Sequence, residues 1–346
     1  MPRLGSPSWE TDLSVSFPSL SSLHDALLVD LDGTLIRGTE PIPGVADALE
    51  LSGLPVVYVT NNASRAPKDT AAHLQDLGYS ARPDEVMTSA QAAVAMLGDH
   101  VEPGAKVLVV GHESFRELAR QDGYEVVGSA DEHPEAVLQG LSRELTWADL
   151  AEGCLAIRRG VPWVASNTDA TLPTERGLLP GNGSLVAAMK TATDREPVVA
   201  GKPAPGVLHA AADLAGSKNP LVIGDRLDTD IEGAVAAGMP ALMVLTGVHG
   251  PSDILEAAPV RRPTHLAYDL TPVNVDSEDF TINAAPEVSG SVENSVLIVS
   301  EVPAGVEGTA LARAVIRRGW ESGAGRVDAP TSELRSRLAD AGFSVG

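Results

Sequence analysis

The sequence predicts an α/β protein whose core is a parallel sheet covered by helices. Short apolar runs alternate along the chain with stretches of helical periodicity, which is the pattern of repeated βαβ units. Acidic, hydroxyl and lysine side chains follow several of these runs directly, as at Asp30, Thr60, Lys202 and Asp225. At 346 residues, the chain is long enough for two or three domains.

The predicted elements follow one another between Leu23 and Pro263. Strands are predicted at the apolar runs ALLVD, PVVYVT, KVLVVG, VPWVAS, PVVA, LVIGD and ALMVLTG. Helices are predicted at VADALELSG, KDTAAHLQDLGY, SFRELARQDG, ADLAEGCLAIRRG, GVLHAAADLAG and IEGAVAAG. Periodicity does not indicate which of these strands share a sheet.

The chain changes character after this region. Residues 271–293 are rich in Pro, Ser, Asp and Glu, which predicts a linker or an irregular edge region. One apolar run, SVLIVSEV, and two amphipathic stretches, TALARAVIRRGWESG and SELRSRLADAGF, follow it. We therefore expect a small additional domain over residues 272–346.

The charge of the chain limits the partners that it can have. A net charge of −22 and an isoelectric point near 4.6 argue against nucleic acid and against an anionic membrane surface. Residues 1–17 have no continuous apolar core, so no signal peptide is expected. No segment approaches the roughly 20 apolar residues of a membrane span, so the expected location is the cytoplasm.

Two carboxylates, Asp30 and Asp32, follow the first apolar run and are separated by one leucine. Residues at this spacing in an extended chain point to the same side, so the two charges would repel each other. A divalent cation would relieve that repulsion, and ligation by oxygen alone suits Mg²⁺. The carboxyl ends of parallel strands are also where open sheets bind their ligands.

Other strand ends carry complementary groups. Thr60, Asn61 and Asn62 supply a hydroxyl and two amides, Lys202 supplies a cation, and the segment from Gly224 to Asp230 supplies further carboxylates. A metal, a lysine, hydrogen-bond donors and an acid that can attack are the groups that phosphoryl transfer requires. The predicted partner is therefore a small phosphorylated metabolite.

These segments carry a resemblance to a known family. VDLDGTL, VTNNASR, GKP and GDRLDTD resemble, in order, the four motifs of the haloacid dehalogenase (HAD) superfamily of phosphatases. The spellings NNASR and GDRLDTDI are similar to its NagD-like branch. The resemblance implies a Rossmann-like core over residues 20–87 and 195–265, with an inserted α/β cap of type C2 over residues 88–194.

The resemblance also implies a role for each site residue. Asp30 would be the nucleophile that forms an aspartyl phosphate, and Asp32 would be the general acid and then the general base. Mg²⁺ would be held by the Asp30 carboxylate, the Asp32 backbone carbonyl and Asp225. The phosphoryl oxygens would be bound by Thr60, Asn61 and Lys202, with Asn62 as a further candidate.

Several roles stay open at this point. Asn62 is either a substrate ligand or a turn residue. Asp228 and Asp230 are either supports of the metal site or the N-cap of the helix IEGAVAAG, rather than direct ligands. The stretch from Ser166 to Ser184 also resembles the NagD-like branch, and within it Thr171 to Pro173 would help to select the leaving group.

The C-terminal residues resemble the shortened acetyltransferase-like domain of certain actinobacterial glycerol 3-phosphate phosphatases. The expected reaction is hydrolysis of glycerol 3-phosphate, with phosphoglycolate, a sugar phosphate or a nucleotide as alternative substrates. A different class of function, an acyl-CoA sensor acting through the C-terminal domain, is the second alternative. The sequence leaves open whether the chain forms a homo-oligomer.

Overall fold

The computed structural model of the chain describes residues 18–174 and 176–345. Residues 1–17, for which no signal peptide is expected, lie outside the described residues. In the described part of the chain, no helix combines the length and the apolar character that crossing a bilayer requires.

The first part of the core contains strands that are buried on both faces. Its elements are α1 (Leu20–Leu23), β1 (Ala26–Val29), β2 (Ile36–Arg37), β3 (Glu40–Pro41), α2 (Val45–Ser52), β4 (Val56–Thr60), α3 (Pro67–Asp76), β5 (Val86–Thr88) and α4 (Ser89–Leu97). β1 pairs in parallel with β4, and β4 with β5. The apolar run that predicted β1 is fully buried, as expected for an inner strand of a parallel sheet.

A second parallel sheet is inserted after α4. Its region contains β6 (Lys106–Val110), α5 (Glu113–Gln121), β7 (Glu125–Val127), β8 (Ala136–Gln139), α6 (Trp147–Arg158), β9 (Trp163–Ala165), β10 (Thr171–Thr174), β11 (Gly177–Pro180), α7 (Asn182–Thr193) and β12 (Val198–Val199). The sheet has the order β12-β9-β8-β6-β7, and β10 and β11 form a separate antiparallel hairpin. We call this sheet with its helices and hairpin the cap; the exact boundaries 88–194 stay a prediction.

The chain then returns to the core sheet. The returning elements are α8 (Gly206–Ala215), β13 (Pro220–Gly224), α9 (Glu232–Ala236), β14 (Ala241–Val244), α10 (Pro251–Glu256) and β15 (His265–Ala267). The complete sheet has the order β15-β14-β13-β1-β4-β5 with parallel pairing throughout. β1 and β13 are neighbours, so the residues that follow them meet at one edge. The predicted α/β class with a Rossmann-like parallel core is confirmed.

A smaller sheet ends the chain. After short 3₁₀ turns come β16 (Ser289–Glu293), β17 (Val296–Glu301), α11 (Gly308–Ser322), β18 (Arg326–Asp328) and α12 (Ser332–Asp340), which we call the C-terminal unit. β16 is antiparallel to β17, and β17 is parallel to β18. Of the two alternatives predicted for residues 271–293, a linker is wrong at its end, because residues 289–293 pair with β17 as the edge strand of this sheet, with a register irregularity between Ser289 and Gly290. The likeness of this unit to an acetyltransferase stays a prediction.

The cap and the C-terminal unit contact different sides of the core. α4 packs against α8 of the core and against β8 and β9 of the cap, so it joins the two sheets. α11 packs against α10 and β15 at the opposite end of the core sheet from β5. There the Trp320 indole N–H donates to the Ile254 carbonyl oxygen at 3.1 Å. Gly319 allows this close approach, because a Cβ at that position would lie 2.2 Å from Leu255 Cδ1.

Candidate active site

The end of β1 places Asp30 at the carboxyl edge of the core sheet. The Asp30 backbone N–H donates to the Ile223 carbonyl oxygen of β13 at 2.9 Å, which continues the sheet pairing by one residue. Gly33 then adopts φ 87°, a left-handed conformation that glycine accepts readily. Its N–H donates to the Ile36 carbonyl oxygen at 2.7 Å, so Asp32 lies exposed at the base of the β2–β3 hairpin. The turn therefore separates a recessed carboxylate from an accessible one.

Lys202 follows β12 and reaches into the core beside Asp30. Its Nζ lies 2.5 Å from Asp30 Oδ1 and 2.7 Å from Asp230 Oδ1, and it donates to the Val59 carbonyl oxygen at 3.1 Å. The side chain is 3% exposed. Burial lowers the pKa of this ammonium, but Asp230 and Asp30 more than offset that effect and raise it above its ordinary value. Lys202 is therefore a permanent buried cation.

Three carboxylates form a cluster around this lysine. Asp30, Asp225 and Asp230 each contribute an oxygen, and these oxygens lie within 4.8 Å of one another. Asp225 Oδ2 accepts from the Val248 N–H at 2.7 Å, whereas Asp225 Oδ1 is buried without a hydrogen-bond partner among the described residues. The cluster thus has more negative charge than Lys202 alone neutralises.

Burial and mutual repulsion change the acidity of these groups. Burial raises the pKa of Asp30 well above its usual range; Lys202 opposes the rise, while Asp230 and Asp225 add to it. Burial, with repulsion from Asp230, raises the pKa of Asp225 to about 7. A cation bound between Asp30 and Asp225 would favour the ionised form of both carboxylates.

The surrounding backbone is shaped around Asp225. A Cβ on Gly33 would lie 2.4 Å from Asp225 Oδ2, and a Cβ on Gly247 would lie 1.8 Å from the same atom. Only glycine at both positions therefore leaves room for the carboxylate. The unpaired oxygen, the adjacent Asp30 carboxylate and the all-oxygen donor set fit a Mg²⁺ ion.

The residues after β4 mainly form hydrogen bonds within the protein. Thr60 Oγ1 accepts from the Asn62 N–H at 3.0 Å, and Asn62 Oδ1 accepts from the Ser64 N–H and hydroxyl at 2.9 and 2.7 Å. Asn62 is therefore a turn residue in this structure, which was one of its two predicted roles. Asn61 Nδ2 donates to the Lys202 carbonyl oxygen at 2.9 Å. The roles of these three residues in substrate binding stay a prediction.

The open alternatives for the acids after β13 are also decided by the fold. Residues Leu227–Ile231 form a single π-helical turn, and α9 begins after it without a side-chain cap. Asp230 contacts Lys202 and accepts from the Arg226 N–H at 3.1 Å, whereas Asp228 forms two hydrogen bonds with the Arg226 guanidinium at 3.1 and 2.8 Å. Neither residue is the N-cap of α9. Asp230 lies within the carboxylate cluster, Asp228 is paired with Arg226, and a role of either acid in supporting a metal ion stays a prediction.

One residue of the site was not singled out from the sequence. The cap residue Asp169 accepts hydrogen bonds from Asn61 Nδ2 at 3.3 Å to each carboxylate oxygen. It lies in the loop after β9, which also contacts the core through the bond of Asn167 Nδ2 to the Asn61 carbonyl oxygen at 2.7 Å. The signal available in the sequence was an acid between Asn167 and the glycines of GNGS, within a stretch already associated with the cap.

Comparisons with known proteins agree with this geometry. A family model described as haloacid dehalogenase-like hydrolase matches residues 27–125, and a HAD-hydrolase-like model matches residues 199–273. The D-glycerol 3-phosphate phosphatase of Mycobacterium tuberculosis is 44% identical over 333 residues, which are 92% of this chain and 94% of that protein. The 5'-nucleotidase YutF of Bacillus subtilis is 36% identical over 72% of this chain and 96% of its own length.

Solved structures of phosphatases also match the fold of this chain. A crystal structure of the glycerol phosphate phosphatase of M. tuberculosis in complex with magnesium matches with a TM-score of 0.90 and 44% identity, covering 95% of this chain and 100% of that one. The p-nitrophenyl phosphatase of Archaeoglobus fulgidus matches with a TM-score of 0.66 and 28% identity, covering 72% of this chain and 97% of that one.

Proposed function

The chain belongs to the haloacid dehalogenase-like hydrolases, and on that premise we propose that it is a Mg²⁺-dependent phosphatase that hydrolyses glycerol 3-phosphate to glycerol and phosphate. The observation that carries the proposed chemistry is the contact of Lys202 with Asp30 at 2.5 Å beside Asp225 and Asp230. The choice of substrate is supported by the 44% identity with the D-glycerol 3-phosphate phosphatase of M. tuberculosis.

In the proposed first half-reaction, an Asp30 carboxylate oxygen attacks phosphorus and forms an aspartyl phosphate. The bond between phosphorus and the glycerol oxygen breaks, and Asp32 donates a proton to the leaving alkoxide. The positions of the two acids support this division. Asp30 is recessed beside a fixed cation, whereas Asp32 is exposed at the hairpin, where it can reach a leaving group above the sheet.

In the second half-reaction, Asp32 accepts a proton from a water molecule, which attacks the phosphorus of the aspartyl phosphate. The bond between Asp30 and phosphorus breaks, so the carboxylate is restored and phosphate leaves. Lys202 neutralises charge on Asp30 and on the phosphoryl group in both steps. Thr60 and Asn61 border the same edge of the sheet and would orient the phosphoryl oxygens.

The residues proposed to hold Mg²⁺ are Asp30, the backbone carbonyl of Asp32 and Asp225. When bound, the ion would neutralise negative charge on the phosphoryl oxygens and the carboxylates. Asp230 is a weaker candidate for direct ligation, because its two oxygens already face Lys202 and the Arg226 N–H. The unpaired Oδ1 of Asp225 is the oxygen that the protein leaves available.

We also propose that the chain acts in the cytoplasm on a small phosphorylated metabolite, without nucleic acid or membrane partners. The net charge of −22 supports this, since it disfavours polyanionic partners. A homo-oligomer stays a prediction that sedimentation of the purified chain would test.

The test of the proposed function is phosphate release from a panel of esters. Glycerol 3-phosphate should give the highest kcat/KM when compared with phosphoglycolate, a sugar phosphate and a nucleoside monophosphate. EDTA should abolish turnover and Mg²⁺ should restore it, whereas Ca²⁺ should inhibit, since it prefers a larger and looser coordination sphere. Full activity in chelator would exclude the metal site, and a higher kcat/KM for another ester would exclude the proposed substrate.

A further inference from the structure

Asn61 is the point at which segments of the core and the cap meet. Its Nδ2 donates to both oxygens of Asp169 at 3.3 Å and to the Lys202 carbonyl oxygen at 2.9 Å. Its backbone carbonyl oxygen accepts from Asn167 Nδ2 and from the Ser89 hydroxyl, each at 2.7 Å. One core residue is thus bonded to the start of α4, to the loop after β9 and to Lys202, which follows the last cap strand by three residues.

The orientation of the Asn61 amide is set by these neighbours. Asn61 Oδ1 is buried without a hydrogen-bond partner among the described residues, and it would lie 2.7 Å from a Cβ on Gly201. A flip of the amide would turn the oxygen towards the Asp169 carboxylate and the Lys202 carbonyl, both of which are acceptors. The Asp169 carboxylate and the Lys202 carbonyl together therefore select one rotamer of the Asn61 side chain.

The loop that carries Asp169 is closely packed. The Asp169 N–H donates to Asn167 Oδ1 at 3.2 Å, and its carbonyl oxygen accepts from the Gly183 N–H at 2.8 Å. A Cβ on Gly183 would lie 2.1 Å from the Thr168 carbonyl oxygen, and a Cβ on Gly181 would lie 2.3 Å from that of Asp169. The two glycines let the start of α7 close against the loop, which fixes the position of the carboxylate.

The Asp169 carboxyl lies among other charged groups that alter its pKa. Burial raises the pKa of this carboxyl, and the Arg226 guanidinium opposes the rise. Asp230 adds to the rise, so the Asp169 carboxyl lies close enough to the carboxylate cluster to add negative charge near the site of an anionic substrate. Its hydrogen bonds to Asn61 give this carboxyl a structural role.

We infer that Asp169 is a positioning residue for the phosphatase reaction. Asp169 holds the Asn61 amide in one orientation and so fixes the position of the cap relative to Thr60 and Lys202. The inference rests on the proposed function, because the strand ends are where the phosphoryl group would bind. Without Asp169, the Asn61 side chain would keep only the Lys202 carbonyl as an acceptor. Of the bonds between the loop after β9 and Asn61, only that from Asn167 to the Asn61 carbonyl oxygen would remain. The effect should reach the phosphoryl site for every ester, independently of the leaving group.

The test is a double-mutant cycle measured with glycerol 3-phosphate and with p-nitrophenyl phosphate. Asp169→Ala should lower kcat/KM by about tenfold or more for both esters, mainly through kcat. Asp169→Asn should recover part of that loss, to within roughly threefold of the wild type, because an amide oxygen still accepts from Asn61. The double variant Asn61→Ala/Asp169→Ala should be no more than about threefold worse than Asn61→Ala alone.

A second readout does not depend on catalysis. The Gly201 N–H donates to the Ser166 carbonyl oxygen at 2.7 Å, and the Ala200 N–H donates to that of Ala165 at 3.0 Å. These amides report the end of the β9–β12 pairing, next to Asp169 and Lys202, where the chain leaves the cap sheet. Their hydrogen exchange should be at least about fivefold faster in Asp169→Ala than in the wild type. The matched control, Asp122→Ala, removes an exposed acid of the cap and should change neither exchange nor kinetics.

Each other outcome would overturn the inference. A loss of kcat/KM confined to glycerol 3-phosphate would mean that Asp169 binds the leaving group. Additive losses of kcat/KM in the cycle would mean that Asp169 and Asn61 act independently. Unchanged kinetics with slow exchange would leave it no positioning role. If Asp169→Ala does not fold, Asp169→Leu replaces it in the cycle under the same criteria, because leucine is similar in size and cannot accept a hydrogen bond from Asn61. If the wild type hydrolyses p-nitrophenyl phosphate but not glycerol 3-phosphate, the proposed substrate fails while the cycle still tests Asp169.

Discussion

The cap and the C-terminal unit are both built from strands and helices, but they join the core in different ways. The carboxyl ends of cap strands β9 and β12 lead directly into Ser166–Asp169 and into Ala200–Lys202. The C-terminal unit instead places one face of α11 against α10 and β15, at the far edge of the core sheet. Of these two regions, only the cap therefore has strands that continue directly into segments carrying residues of the candidate active site.

This difference indicates what each region contributes. Two residues separate β12 of the cap from Lys202, so a rotation of the cap would move the chain segment that carries the lysine. The contact of the C-terminal unit with the core includes apolar packing, the Trp320 hydrogen bond to Ile254 and a cation–π contact of Arg262 with the Trp320 ring at 4.8 Å. We expect changes in the cap to alter catalysis and changes in the C-terminal unit to alter stability.

The acyl-CoA alternative gains no support from this comparison. The sequence has no clear glycine-rich pyrophosphate loop in this unit; Gly305 and Gly308 both have positive φ, and α11 begins at Gly308. The residue before that helix is Glu307, whose carboxylate would repel a pyrophosphate at the helix start. A role of the C-terminal unit in stability is therefore the prediction that we carry forward.

The largest expected effect belongs to neither region, because the chemistry is assigned to the core. Asp30→Asn should lower kcat by about a thousandfold or more, since an amide does not attack phosphorus. The nearly isosteric side chain should leave the fold intact, which circular dichroism and the unfolding temperature would check. Activity within tenfold of the wild type would contradict the covalent mechanism. It would also contradict the assignment of the chemistry to the core, on which the comparison of the cap with the C-terminal unit depends.

The second prediction concerns the C-terminal unit. A chain ending at Pro286 would uncover Ile254 and Leu255, which are 0% and 2% exposed in the full chain. The free energy of unfolding should fall by about 3 kcal/mol or more, as measured by urea denaturation. The cut after Pro286 keeps the bonds of Phe280 and Ile282 to the β15 region, so the core sheet stays complete.

The control for this truncation is Trp320→Phe, which keeps the unit but removes the indole N–H bond to Ile254. It should cost about 1 kcal/mol of unfolding free energy. The truncated chain and the Trp320→Phe variant should both rank phosphate esters by kcat/KM in the same order as the full wild-type chain. A reordered substrate preference after truncation would show that the C-terminal unit acts on the site, contrary to the comparison.

Much of the core and its site was predictable from the sequence. The predicted strands of the core sheet form at the apolar runs, because a strand buried on both faces needs a nearly continuous apolar segment. Asp30 and Asp225 come together because the parallel core strands β1 and β13 end at a common edge, whereas Lys202 reaches that edge from the end of cap strand β12. The strands in question are neighbours in the sheet only through long-range pairing, and periodicity carries no information about that order.

What escaped prediction depends on tertiary contacts. β16, with residues SGSVE, has a polar composition and becomes a strand because β17 offers an edge for pairing. Asp230 was a candidate N-cap, but the π-helical turn before α9 directs it to Lys202 instead. Asp169 gained its importance only when the cap loop was seen to meet Asn61, which lies 108 positions away in the chain.

The last and smallest effect concerns selection of the leaving group by the cap. Leu172 is half-buried, and it lies three residues after Asp169, which contacts Asn61 beside the phosphoryl site. Leu172→Ala should therefore change the ratio of kcat/KM for glycerol 3-phosphate to that for p-nitrophenyl phosphate by more than about threefold. Leu178→Ala on the paired strand β11 is the matched control, because Leu178 is 71% exposed and its truncation should leave the ratio unchanged. A ratio altered by Leu178→Ala or by the C-terminal truncation, but not by Leu172→Ala, would mean that specificity does not reside in this part of the cap.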